Sequence, residues 1–98
     1  MKILALEREL PGAAEEAFRL HGRAEARAVW ELHQAGVIRE LYFRADRDEA
    51  VLVLECATTA EAQRGLGGLP YVREGVIAFD LIPLRAYPGF ARLFEART

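Results

Sequence analysis

The chain is predicted to form an α+β fold: a four-stranded antiparallel sheet with two helices on one face, in the ferredoxin-like order β-α-β-β-α-β. Three observations predict it. A long Ala/Glu/Arg-rich segment has helical spacing, four short apolar stretches have strand length, and turn residues separate them. No linker or low-complexity tract interrupts the 98 residues, so one domain over 1–98 is expected.

Lys2 to Arg8 reads as the first strand, ended by Pro11-Gly12. Ala13 to Ala35 is rich in strong helix formers, and Ala17, His21, Ala24, Ala28, Leu32 and Ala35 recur at spacings of three and four as one stripe. Gly22 interrupts that helix and marks a bend or a close backbone approach, while Gly36 supplies its stop. Val37 to Ala45 and Ala50 to Ala57 form a hairpin about the charged turn Asp46–Glu49. Thr58 with Glu61 has capping-box spacing and opens a short helix from about Thr59 to Leu66. Gly67, Gly68 and Pro70 then turn the chain into a fourth strand, Val76 to Leu84, before a tail holding Pro88-Gly89.

Alternation divides each strand between two faces. Leu4, Leu6, Leu41, Phe43, Leu52, Leu54, Cys56, Ile77, Phe79 and Leu81 make an apolar set, expected under the helices. The other set mixes Ile3, Ala5, Ile38, Val51, Val53, Val76 and Ile82 with Glu7, Glu40, Tyr42, Arg44, Glu55 and Asp80. Aliphatics and charges on one face suit a surface covered by a second subunit that encloses a partly polar cavity.

Composition narrows the partners. At 52% apolar with a net charge of −2, the chain has no basic block to hold nucleic acid or an anionic membrane. Its apolar runs are far shorter than the ~20 residues of a membrane span. The N-terminus lacks the apolar core of a signal peptide, and a lone cysteine suits a reducing compartment, so a cytoplasmic protein is expected. The chain contains no serine and no asparagine, which excludes serine nucleophiles and asparagine oxyanion donors.

Three segments carry a resemblance. "WELHQAGVIRELYFR" joins a Trp/Leu-bearing helix end to a polar-aromatic strand, "GLGGLPYVREGVIAFDLIPL" holds an LPY turn, and "AYPGF" sets a proline after an aromatic. Over about residues 29 to 90 the chain resembles the muconolactone delta-isomerase family, among the dimeric α+β barrels. The resemblance implies a close homodimer, in some cases built into larger rings, with pockets between sheet and partner. It also implies cofactor-free chemistry, an isomerase moving a proton on a small carboxylated or aromatic molecule. Where that enzyme carries His-Pro in its tail, this chain has Tyr87-Pro88. A non-catalytic ligand-binding or assembly protein and a cofactor-free monooxygenase stay open as alternatives.

Candidate residues follow from chemistry. Glu40 or Glu55, in a partly apolar cavity, would serve as general base, with Arg44 beside it holding a substrate anion and Tyr42 and His33 as pocket donors. The plain structural reading of the four strand residues is cross-strand pairing that registers the hairpin or the dimer. Trp30 and His33 lie three apart near the end of the first helix, where His33 could shuttle protons beside an aromatic wall, or both could simply meet a neighbouring subunit. His21 reads as a core histidine with a hydrogen bond and Cys56 as a buried, inert thiol. No Cys/His cluster has the spacing of a zinc site, and "GLGGLP" lacks a phosphate loop's lysine.

Overall fold

The structure is a computed structural model that describes residues 1–96. Its elements are β1 (Lys2–Glu9), α1 (Glu15–Gln34), β2 (Ile38–Phe43), β3 (Ala50–Glu55), α2 (Thr59–Gly67), α3 (Pro70–Arg73) and β4 (Ile77–Pro83), followed by a 3-10 segment, Gly89–Phe94. The sheet order is β2-β3-β1-β4 and all three pairings are antiparallel, which is the ferredoxin-like α+β arrangement.

Local chemistry explains the boundaries. Gly36, at φ 80°, ends α1 in a conformation few other residues adopt, and the Val37 N–H returns to the Leu32 carbonyl at 3.0 Å. At the start of α2 the Thr58 hydroxyl accepts from the Glu61 N–H at 3.1 Å. The Glu61 carboxylate reaches back to the Ala57 N–H at 3.0 Å, so the box closes one residue before the cap. The short helix α3 was not anticipated: Pro70 occupies its first position, where its missing N–H costs nothing.

The core is Ile3, Ala5, Ile38, Leu52, Leu54, Cys56, Ala62, Leu66 and Leu69. This corrects the expected faces of β1. Ile3 lies opposite Leu54 and Ala5 opposite Leu52, so Ile3, Ala5 and Glu7 point toward the helices and Leu4 and Leu6 lie on the outer face. Both sets of β1 are apolar as far as Leu6, so alternation could not rank them, and the assumption that Glu7 faces outward chose wrongly. Ile38 is also in the core, because a bulge between Ile38 and Glu40 resets β2 so that Ile38 and Leu41 share the inner side. Val76, just before β4, is buried as well.

The stripe on α1 is rotated from its expected position. Ala24 and Ala35 are exposed, while Phe18, Gly22, Glu25, Val29 and Leu32 face inward. Cys56 is buried and burial pushes its thiol up, as an inert core cysteine requires. His21 is not a core residue: it lies on the flank of α1, its Nε2 3.0 Å from a Glu74 carboxylate oxygen.

Beyond Pro83 the chain leaves the body. The molecule measures 65 × 28 × 21 Å, with a radius of gyration of 16.8 Å against roughly 13 Å for a compact chain of about 100 residues. Among the described residues, no helix is long and apolar enough to cross a membrane.

Candidate active cleft between the first helix and the sheet

A cleft of about 700 Å³ lies between α1 and the inner face of the sheet. Small side chains leave the room for it: Gly22 and Ala26 on the helix stand above Ala50 on the sheet. Its walls are apolar and aromatic, from Trp30, Leu41, Phe43, Leu52, Tyr71 and Phe79. The volume is within the roughly 300–1,000 Å³ of ordinary ligand pockets.

Two carboxylates enter this apolar space from opposite sides. Glu7 comes from β1, opposite Phe79, and Glu25 from the inward face of α1, where only 9% of it is exposed. Burial pushes both above the usual carboxylate range. For Glu7 the Ala50 N–H opposes the shift, while the negative charges of Glu25, Glu49 and Glu9 add to it. Glu25 keeps one partner, the Tyr71 N–H at 2.9 Å, which lowers its proton affinity in part and fixes the carboxylate.

Tyr71 closes the end of the cleft nearest the start of α1. Its hydroxyl donates to the Phe18 carbonyl at 3.0 Å, and its ring meets Phe18 edge-on at 5.1 Å. A Cβ at Gly22 would stand 3.3 Å from that hydroxyl. Gly22 therefore marks a close approach, one of the two readings its sequence position allowed. Burial and then the charges of Glu25 and Glu7 raise the Tyr71 hydroxyl. It stays protonated at neutral pH.

His33 lines the other end, its ring centre 6.1 Å from that of Trp30. Its Nδ1 is 2.9 Å from the Ile38 carbonyl, which can only accept. The neutral ring thus carries its proton on Nδ1 and leaves Nε2 as a basic lone pair.

The structure separates the residues expected to act together. Trp30, His33 and Tyr42 border the cleft; Glu40, Arg44 and Glu55 do not. Tyr42 and Glu40 lie on the outer side of β2, opposite Val51 and Val53, and the Tyr42 hydroxyl donates to Glu40 at 2.9 Å. Arg44 lies past the end of β2 and forks onto Asp46, at 2.8 and 2.6 Å. Glu55 meets the Met1 ammonium at 2.5 Å, which holds its carboxyl below the usual range. Glu7 and Glu25, which define the cleft, were not picked out. Glu25 had a detectable signal: as a carboxylate four residues before Val29 and seven after Phe18, it sits on an apolar helix face.

No protein-family model and no curated protein sequence matches this chain. Among solved structures it is similar to the 5-chloro-2-hydroxyhydroquinone dehydrochlorinase TftG of Burkholderia phenoliruptrix AC1100, solved in complex with 2,5-dihydroxybenzoquinone. The two share 14% identity and superpose with a TM-score of 0.67 over 91% of this chain and 98% of that one. That likeness shows the fold, an α+β ferredoxin-like domain.

Proposed function

We propose that this chain is an enzyme that moves a proton on a small, neutral ring compound held in the cleft, using Glu7 and Glu25 as its acid and base. One observation carries the reading. Two desolvated carboxylates face a common apolar, aromatic space whose lining includes no lysine or arginine among the described residues. A carboxylate with raised proton affinity is the stronger base when ionised and the more available acid when protonated. A carboxylated substrate would meet two like charges there, so the aromatic class is favoured over the carboxylated one.

In the proposed reaction one carboxylate removes a proton from a carbon next to a ring carbonyl. The resulting enolate is reprotonated at another position by the second carboxyl, giving an isomer. The same first step followed by departure of a leaving group would be an elimination, and the dehydrochlorinase TftG acts on a hydroxylated ring. The chemistry asks for no cofactor. Trp30 would stack on the ring, the Tyr71 hydroxyl, its one proton held by the Phe18 carbonyl, would accept from a ring hydroxyl, and the Nε2 of His33 would relay a proton at the mouth. Tyr42 would border the mouth, with Glu40, Glu55 and Arg44 registering the outer face. Leu4, Leu6, Val51, Val53 and Ile82 on that face suit contact with a second copy in a reducing, cytoplasmic setting.

Deuterium incorporation at ring carbons, followed by NMR over a panel of hydroxylated quinones and enolisable cyclic ketones in ²H₂O, tests the reading. Glu25→Gln and Glu7→Gln should each slow exchange by about 10²–10⁴-fold, and Arg44→Ala should not. Exchange at the parent rate in both glutamine variants would remove the carboxylates from the mechanism. Ring binding with no exchange in the parent would favour a ligand-binding protein instead.

A further inference from the structure

We propose that His21 and Glu74 are positioning residues for Glu25: their contact clips α3 against α1, and the clipped helix holds the Tyr71 N–H on the Glu25 carboxylate. The His21 Nε2 lies 3.0 Å from a Glu74 carboxylate oxygen, and neither residue lines the cleft. The role in catalysis rests on the proposed function, in which Glu25 is acid or base. The positioning itself stands apart from any reaction.

The short helix α3 cannot hold its own place. It is four residues long, Pro70–Arg73, and isolated helices under about 12–15 residues are marginal in water. Its place comes from ties to α1, and these follow one matched spacing. Tyr71 and Glu74, three apart, meet Phe18, His21 and Glu25, which stand at i, i+3 and i+7 on the longer helix. Tyr71 makes the ties at the cleft, through its N–H and its hydroxyl. Glu74 makes the tie at the far end of α3, just before the chain turns away at Gly75, φ 72°.

What the clip protects is one hydrogen bond. As the second residue of α3, Tyr71 has no carbonyl of its own helix for its N–H to reach, so its acceptor is Glu25, at 2.9 Å. The bond engages Oε1 and leaves Oε2 without a partner among the described residues. It also favours the ionised carboxylate, against the burial that pushes Glu25 up. With α3 loosened, the N–H would drift away. Glu25 would then hold its proton more tightly and lose its fixed aim.

A neutral His21 ring donates to Glu74 from Nε2, and a charged ring makes the same bond with charge added, so the clip closes in either form. Besides Glu25, the titratable groups lining the cleft are Glu7, His33, Tyr42 and Tyr71, and His21 stands one turn before Glu25 on α1. Glu74 carries a negative charge. Through space alone, its loss would make Glu25 easier to ionise and lower the midpoint of its titration. Through the clip, its loss removes the N–H and raises that midpoint. The two routes differ in sign.

That difference makes the test. In ¹³C-labelled full-length protein the Glu25 side-chain carboxyl, assigned by its loss in Glu25→Gln, is titrated by NMR, and Tyr71 amide exchange is followed in the same samples. Glu74→Ala should move the Glu25 midpoint up. It should also speed Tyr71 exchange by about 2–5-fold, the weight of an exposed pair, while the core amides of Leu52 and Leu54 stay as they were. Glu74→Gln keeps an oxygen for the Nε2–H and should restore both readouts. His21→Leu breaks the same contact from the other side and should reproduce the faster Tyr71 exchange. A midpoint that stays or falls in Glu74→Ala overturns the clip. So does faster exchange spread evenly over the chain, or a Glu74→Gln variant that rescues neither readout. No substrate enters these measurements, so a parent that exchanges no ring carbon would overturn the proposed function while the clip is still decided here.

Discussion

The two faces of the sheet hold their carboxylates in opposite ways. On the outer face each is in water and bound to a named partner: Glu55 to the Met1 ammonium, Glu40 to the Tyr42 hydroxyl, Asp80 to Arg8. On the inner face Glu7 and Glu25 are partly dehydrated and have only backbone N–H groups for partners, and the charge of Glu25 adds to the proton affinity of Glu7. Glu55 is accordingly pulled down and the inner pair pushed up. Paired charges in water contribute little to stability and are poor bases. Desolvated ones lower stability and are useful chemically.

That contrast can be broken at several points. The largest effect is expected under the cleft floor, where Leu54 is fully buried: Leu54→Ala should cost about 2–5 kcal/mol in urea unfolding. A loss under 1 kcal/mol would mean that the inner face is not the core. Next, Thr58→Ala opens the capping box of α2 and should cost about 1 kcal/mol.

The inner carboxylates make the sharper test, because their effect has the reverse sign. Both bind protons more tightly folded than unfolded. Their stabilising contribution is complete below the ordinary carboxylate value of 4.5 and falls away as pH rises through it toward the raised folded value. Glu25→Gln keeps an oxygen for the Tyr71 N–H and removes the charge, so it should stabilise the protein at pH 7, by about 1 kcal/mol or less. Below pH 4 the gain should vanish. A variant less stable than the parent at pH 7 would place Glu25 among the paired carboxylates after all. Smallest of all, Arg44→Ala should leave the melting temperature unmoved, since its partner Asp46 is already in water.

Much of the fold was legible in the residues. Periodicity located both longer helices and all four strands, and Thr58-x-x-Glu61 located a helix start within one residue. What stayed hidden has one physical origin: a residue's face is decided by pairing, which is not local. Leu4/Leu6 and Ile3/Ala5 are equally apolar, and only the register against β3 separates them. The cleft followed the same error, because Glu7 looked solvated and Glu25 looked like one of many helix glutamates. His33, Trp30 and Tyr42 were found because aromatic and imidazole groups stand out in a chain of Ala, Glu and Arg. Glu40, Arg44 and Glu55 were grouped by face; Glu40 does meet Tyr42 on that face, but the partners of Glu55 and Arg44, an N-terminus and a turn aspartate, lie outside any strand pattern.

The bulge in β2 has a genetic reading. Ile38 and Leu41 share one side only because Arg39 is an extra residue in the ladder, with its Nε bonded back to the Gly36 carbonyl at 2.6 Å. Loss of that single codon would leave Ile38, Glu40 and Leu41 alternating as in a plain strand, each still on the side it occupies now. Position 39 is therefore where this hairpin tolerates a change in length without inverting. Loss of the Leu41 codon, past the bulge, would instead carry Tyr42 inward and turn Phe43 away from the cleft.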